Sequence, residues 1–496
     1  MAKQVAILAA LTALVALVIG KAFYNVYFHP LARYKGPLLW RAFQFPSLAG
    51  MLAGNLPFRV KQLHDQYGPI VRIGPNELSF TDERAWKDIF QRRDFLRPPQ
   101  WGARPPGVEA HNFISAPADV HGRLRKAFAP AFSDKALLGY EPLIRMYFDK
   151  LLARLDSSPA PAVDMMEWLN FTTFDIIGEL CWGQSFDCLD SGTGHAFISV
   201  LLHFKAAMIA TAIAHYPWLN ALMPYITPKS ALAMLHNVFQ TGHTRIRDRI
   251  FTQDETRRAD VLSHVLKYNT SNPSTSLSLD EVEFNTLTII VAGSETLTTA
   301  LCGALHYLLA NPSAYETLVS EICSSFQSED QISASSVSAL PYLNAVLNET
   351  LRLCPPIPDG MRRAVPKGGA YVAGESFPEG TVLGVACWSV FQDEKHFSSP
   401  STFAPERWLD ADNKNDKVKS AYPTHNTKAF YPFSLGPHGC LGQNLAWLEM
   451  RLLLALLLFR FDFELASKSK LPGWSEQSIH WTWEKRPLRV EIRKRI

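Results

Sequence analysis

Residues 5–20 form an apolar run broken only by Thr12, with Lys3 and Lys21 at its ends. The run is slightly short for a bilayer span, and Ala22 and Phe23 extend it. The following Tyr24-Asn25-Val26-Tyr27 offers no small-residue cleavage site, so the segment reads as a retained anchor and not as a signal peptide. More positive charge follows it (Lys21, Arg33, Lys35, Arg41) than precedes it, which places the bulk of the chain in the cytosol. Beyond residue 45 the pattern changes to that of a globular body. Residues 70–73 and 77–80 alternate as a hairpin around Gly74-Pro75-Asn76, and Thr81 is expected to cap a short helix from Asp82 to about Phe90. Residues 97–117 hold five prolines and read as an ordered loop. Residues 121–155 follow a helical period with breaks expected at Pro130 and Pro142, and residues 165–250 are mostly helical. Ser278 with Glu281 forms a capping box opening a helix that runs to Asn311-Pro312, roughly 45 Å. Strand-like pieces follow at 361–365, 370–372 and 381–385. Residues 441–459 are largely apolar and free of proline, as in a buried helix, and residues 488–492 alternate as a strand.

Composition narrows the picture. The chain has 496 residues and no interior linker, so it divides into an anchor (1–23), a stretch with proline and glycine (24–45) and one body (46–496). A formal charge of +3 provides no basic stripe, which argues against nucleic acid as a partner. The seven cysteines are scattered and form no CxxC pair, so neither a disulfide framework nor a zinc site is signalled.

The chemistry concentrates in one loop, Phe433-Ser434-Leu435-Gly436-Pro437-His438-Gly439-Cys440-Leu441-Gly442, which runs straight into the 441–459 helix. Cys440 is thus expected at a helix start, where free N–H groups and the helix dipole favour the thiolate. The glycines let the backbone turn sharply and approach a flat ligand. A thiolate presented this way suits a single soft bond to haem iron. A lone cysteine is otherwise an ordinary buried residue, and the spacing separates the two readings: Phe433, Gly436, the basic His438, Cys440, Gly442. That spacing closely resembles the haem-binding loop of the cytochrome P450 haem-thiolate monooxygenases, in which arginine usually stands where this chain has His438 and histidine is a fungal variant.

The resemblance extends over essentially the whole chain, and its best match is the membrane-bound ascomycete branch of secondary metabolism. It implies a mainly α fold with small β-sheets and a heme b cofactor (iron protoporphyrin IX with an axial cysteine thiolate) on Cys440, with Phe433 and Gly442 shaping the loop. His121 and Arg125, four apart and so on one helix face, match haem-propionate contacts, as does Arg363, with Arg362 its competitor. His438, the basic residue of the loop, is a further cofactor-binding position. Ala292-Gly293-Ser294-Glu295-Thr296 matches the oxygen-binding segment, where small residues open a groove and Glu295 with Thr296 relays protons to O2. The usual polar residue after the threonine is here Leu297. Glu349 and Arg352, with Arg407, match a buried structural network.

The pocket positions implied are Phe113, Ile114, Ala292, Thr296, Ile357 and Met361, mostly apolar, for a lipophilic small-molecule substrate. Hydroxylation is the default reaction, with epoxidation open to the same site. No GxGxxG follows a strand, so electrons come from a partner. The resemblance implies NADPH-cytochrome P450 reductase, in the endoplasmic reticulum membrane, with the catalytic body facing the cytosol and lipid around the anchor. Arg123 and Lys126 are candidates for the reductase surface, or simply a solvated face. Two other readings stand beside this one: a haem-thiolate isomerase or dehydratase without a reductase, and a non-catalytic haem-binding sensor or carrier. The intact Glu295–Thr296 pair disfavours both.

Overall fold

The computed structural model describes residues 2–101, 104, 108–114, 116–158, 160–195, 204–220, 225, 228–251, 260–409, 420–466 and 472–495. Within the 165–250 stretch expected to be mostly helical, residues 196–203, 221–224 and 226–227 lie outside the described residues. The helices that build the site are α1 (Ala2–Tyr27), α2 (Ala118–Phe128), α3 (Asp134–Asp156), α4 (Met165–Trp182), α5 (Leu279–Ala310), α6 (Pro341–Leu353) and α7 (Gln443–Arg460).

The core is helical. Leu452 to Phe459 of α7 are buried on every side, which explains why that stretch shows no polar face in the sequence. α5 is buried over most of its 32 residues and packs along α4. Its start has the expected capping box, with the Ser278 hydroxyl accepting from the Glu281 N–H and the Glu281 carboxylate from the Ser278 N–H. Gly293 does not open a groove. A Cβ there would stand 3.0 Å from Ile177 Cδ1 of α4, so the glycine serves close helix–helix approach.

Four small sheets accompany the helices among the described residues. Ile70–Gly74 and Glu77–Phe80 form the expected antiparallel hairpin. Val382–Val385 then pairs parallel with Glu77–Phe80 and antiparallel with Arg362–Ala364. Arg489–Lys494 pairs with Phe461–Leu465 and with Val163–Asp164. Glu375–Phe377 completes a hairpin with Ala370–Val372, and Ile479–His480 pairs with Thr482–Trp483.

Two local expectations are corrected. Thr81 does not cap the next helix. Its N–H still bonds the Pro69 carbonyl at the sheet end, and Asp82 accepts from the Arg84 N–H instead. Pro142 does not break α3. The carbonyl it leaves unpaired belongs to Leu138, whose side chain is 68 % exposed, so water can serve it. Tyr140, Leu143, Ile144, Tyr147 and Phe148 meanwhile hold the helix to the core.

α1 is apolar and exposed along the length that could cross a bilayer, whereas α5, the other helix of that kind among the described residues, is core. The end of α1 is tied to the body. Buried Asn25 donates to the Ala42 carbonyl at 2.8 Å, and Arg41 donates to the carbonyls of Val26 (2.8 Å) and Ala32 (3.1 Å).

Candidate functional site

The 433–442 loop closes on itself through two backbone bonds, Gly439 N–H to the Gly436 carbonyl (3.0 Å) and Cys440 N–H to the Phe433 carbonyl (2.9 Å). Ser434 and Gly436 both take positive φ, at 59° and 66°. At Gly436 a side chain is excluded twice, since a Cβ would also lie 2.2 Å from the Phe90 carbonyl oxygen. Phe433 packs against Trp447 of α7, and Gly442 is the residue before α7 begins.

Cys440 is the one exposed cysteine; Cys323 is half-buried and the other five are buried. It precedes α7 by three residues, so it stands just outside the first turn. Loss of water on the side that faces the protein pushes its thiol up, against the Gly442 amide and the Arg125 charge, which pull it down.

Around the loop lies a group of cationic and imidazole side chains without acids. Arg125 of α2 donates to the Gly439 carbonyl at 2.7 Å. His121, one turn earlier, stacks on His438 with ring centroids 4.0 Å apart. Arg363 uses one nitrogen on the Arg362 carbonyl and leaves Nη2 unpartnered and buried. Arg97, which sequence reasoning missed, leaves Nε in the same state, and His438 leaves Nδ1. Burial first, and then their mutual repulsion, lowers His121 to about 4, His438 to about 3 and Arg363 to about 9. Burial alone lowers Arg97 to about 10. No carboxylate is among the charges that act on these five groups. Three guanidiniums, Arg363 buried and Arg97 and Arg125 half-buried, stand with two imidazoles and unpartnered donors and call for an anion, and a haem presents two carboxylates together with an iron that the thiol could bind. The residues fit that group. Arg362, the competitor, is instead committed to Glu77 and Asp359.

On α5, sequence neighbours diverge. The Thr296 hydroxyl donates to the Ala292 carbonyl at 2.6 Å. Ala292 is exposed and Thr296 half-buried on a helix whose other faces are buried. Glu295 turns elsewhere and makes a short ion pair with Lys485. Burial raises its carboxyl, and Lys485 opposes that rise. Glu295 and Thr296 therefore do not form one preassembled relay. The other pocket positions, Phe113, Ile114, Ile357 and Met361, are each half-buried. The loop bearing Phe113 and Ile114 is fixed to α5 by Asn285, which accepts from the Phe113 N–H and donates to the His111 carbonyl, both at 3.0 Å.

Glu349, Arg352 and Arg407 come together as expected, all fully buried. Glu349 also accepts from Trp408 Nε1 (2.8 Å) and the Ala404 N–H (3.0 Å). Arg123 is not free for a partner, because it chelates Glu281 at the start of α5, while Lys126 is exposed.

Comparison with known proteins agrees with this geometry. The Cytochrome P450 family model matches residues 30–491. The chain is similar to cytochrome P450 monooxygenase aclL of Aspergillus oryzae, 38 % identical over 97 % of this chain and 96 % of that protein. It is 36 % identical to the trichothecene C-15 hydroxylase of Fusarium sporotrichioides, over 95 % and 94 %. It is also 35 % identical to cytochrome P450 monooxygenase prhB of Penicillium brasilianum, over 98 % of each.

Proposed function

The chain belongs to the cytochrome P450 family, and from that premise we propose that it hydroxylates a lipophilic fungal secondary metabolite against the Ala292–Thr296 face of α5. The family carries heme b on an axial cysteine thiolate, takes electrons from a redox partner and places one atom of O2 in a small molecule, and this chain is such a monooxygenase.

The observation that carries the site assignment is the acid-free group of Arg97, His121, Arg125, Arg363 and His438 around the Cys440 loop. In this reading Cys440 would hold the haem iron and those five side chains would hold the propionates. Phe433 and Gly442 shape the loop. When bound, the haem supplies O2 activation, which thiolate ligation biases toward O–O cleavage.

The chain's own residues do the rest. The Thr296 proton is spent on the Ala292 carbonyl, so its oxygen presents lone pairs to the open side of the helix. It can accept a hydrogen bond there from a proton-bearing donor and so orient that donor. Glu295 is the nearby source of that proton. Phe113, Ile114, Ala292, Ile357 and Met361 give an apolar wall that excludes water and favours a lipophilic substrate. Hydroxylation is favoured over epoxidation by the relative whose name specifies a hydroxylase. An isomerase or a haem carrier has no support among the relatives' names.

We place the body on the cytosolic side of the endoplasmic reticulum membrane, with lipid around α1 and NADPH-cytochrome P450 reductase as the electron donor. The polar ties of Asn25 and Arg41 support a retained α1 that holds the body at a set angle, with the 24–45 stretch as the joint to the 46–496 body. The test supplies reductase-containing membranes with candidate metabolites and NADPH. Substrate-dependent NADPH consumption with a product heavier by one oxygen is expected. A product of unchanged oxygen content formed without NADPH would overturn the reading.

A further inference from the structure

Behind the pocket wall, three indoles lie in unbroken ring contact. Trp388 and Trp483 meet edge to face with ring centroids 5.4 Å apart, and Trp474 meets Trp483 in the same way at 5.8 Å. Tyr307 follows Trp474 at 6.5 Å. The three tryptophans are buried and Tyr307 is half-buried, so the row leaves the interior at the tyrosine. Phe58 touches both Trp388 and Trp483, and Phe403 stacks on Tyr307. Phenyl rings thus pack against the same residues, and apolar packing by itself does not call for indoles and a phenol.

The row begins at the pocket wall. The Trp388 N–H donates to the Pro358 carbonyl at 2.9 Å, and Trp483 Nε1 donates to the Pro355 carbonyl at 2.8 Å. Those carbonyls flank Ile357, and the same segment runs on to Met361. Thr482, the residue before Trp483, bonds the Glu295 carboxyl, next in sequence to Thr296. The row ends on α5 itself, because Tyr307 lies about three turns past Thr296, roughly 16 Å along the axis.

Sulfur apart, tryptophan and tyrosine are the side chains that give up one electron most readily. Electron tunnelling falls steeply with distance, so rings in contact exchange an electron fast. A tryptophan radical cation stops where its N–H proton finds a base. Trp483 Nε1 faces an amide carbonyl, a very weak base, and Trp474 Nε1 is buried without a partner. Neither sheds its proton, and the electron vacancy moves on to the tyrosine.

Given the monooxygenase reading above, on which this rests, we propose that Trp388, Trp483, Trp474 and Tyr307 form a protective electron-transfer row. It returns electrons to the haem site when O2 has been activated there with no substrate in place. An electron leaves the indoles at the pocket wall, and the vacancy passes through Trp474 to Tyr307. Tyr307 loses its phenolic proton to water and becomes a neutral radical. A small thiol then gives it back one electron and one proton. Two such events, with two protons from solvent, reduce the remaining oxygen atom to water, while two thiols become one disulfide.

The test uses the haem-loaded full-length enzyme with reductase, NADPH and O2 and without substrate. Rapid-freeze electron paramagnetic resonance reads radicals, and peptide mass mapping reads oxygen added at each aromatic residue. The wild type is expected to give a tyrosyl signal that Tyr307→Phe loses. Oxygen should be added at Trp474 and Tyr307 before Tyr371, which is 73 % exposed and outside the row. Trp474→Phe keeps a ring and sacrifices no hydrogen bond. It should lose the tyrosyl signal, collect added oxygen at Trp388 and Trp483 and bleach its haem faster. Glutathione should slow bleaching in the wild type and not in Trp474→Phe.

Added oxygen that follows exposure, with Tyr371 ahead of the buried indoles, overturns the proposal. So does a tyrosyl signal that persists in Tyr307→Phe or in Trp474→Phe. The monooxygenase reading is judged separately, on the product heavier by one oxygen, so product without a Tyr307 signal removes the row alone. If NADPH is not consumed, that reading falls, and hydrogen peroxide added to the holoenzyme tests the row in its place, where no signal at Tyr307 again overturns it. Should Trp474→Phe not accumulate, Tyr307→Phe and the wild-type oxidation map decide.

Discussion

Arg352 and Arg407 are as deeply buried as Arg363, yet the two regions satisfy their charges by opposite means. The first pair shares Glu349, whose carboxylate receives five donor contacts from Arg352, Arg407, Trp408 and the Ala404 N–H. Remaining guanidinium nitrogens reach the carbonyls of Phe391, Pro400, Thr402 and Ser398. Although burial pushes Glu349 up, Arg352 and then Arg407 prevail and hold it below the usual range. Around Arg363 no acid arrives, and Arg97, Arg363 and His438 keep buried nitrogens without partners. The first region is complete as a piece of protein. The second is complete only with an anion that the chain does not encode. Here the buried Glu349 network marks architecture, and the buried cluster without acids marks a ligand.

The largest effect that tests this contrast is in the complete region. Glu349→Gln leaves Arg352 and Arg407 buried with no counter-charge, which costs about 3–5 kcal/mol. Thermal unfolding of the variant should show a steep loss of stability whether or not haem is bound. If stability depends on haem instead, the two regions are not distinct in kind.

Next comes the loop beside the incomplete region. Cys440→Ala should abolish the thiolate-type ferrous–CO spectrum, whereas Cys354→Ala and Cys387→Ala, at buried positions, should preserve it. A normal spectrum from Cys440→Ala would move the axial ligand elsewhere. Smaller still is Thr296→Ala, which removes a hydroxyl and little volume. Loss of one hydrogen bond in the proton-transfer step costs a few kcal/mol, roughly a hundredfold in that step. Product per NADPH should fall and hydrogen peroxide rise while haem content stays level. An unchanged ratio would make Thr296 a packing residue.

These effects also mark what was legible in the sequence. The hairpin at Gly74-Pro75-Asn76, the Ser278–Glu281 capping box and the Phe433–Gly442 spacing are local, and each is written within about ten residues. Glu349 with Arg352 is local as well, and Arg407 followed from the resemblance. Arg97 was not legible, because only the fold carries it next to His121 and His438. The partner of Glu295 was likewise hidden, since 190 residues separate it from Lys485. Adjacency misled at Glu295 and Thr296, where successive helical positions differ by about 100° and so face different neighbours. Gly293 misled because a mid-helix glycine can serve close packing as well as a groove. Pro142 misled because the cost of one lost hydrogen bond is small against the burial of five neighbouring side chains.

The central claim, that the unpaired cations are held for haem carboxylates, is tested most directly at Arg363. The measurement is the rate of haem transfer from the holoenzyme to a haem-scavenging protein, for the wild type and Arg363→Leu, followed by the melting temperature of the haem-free chain that remains. A charged hydrogen bond contributes about 1.5–3 kcal/mol, so transfer should quicken by about tenfold to a hundredfold. The haem-free chain should melt no lower than the wild type, because the substitution relieves repulsion from Arg97. Unchanged transfer together with a lower melting temperature would contradict the account and make Arg363 one more piece of architecture.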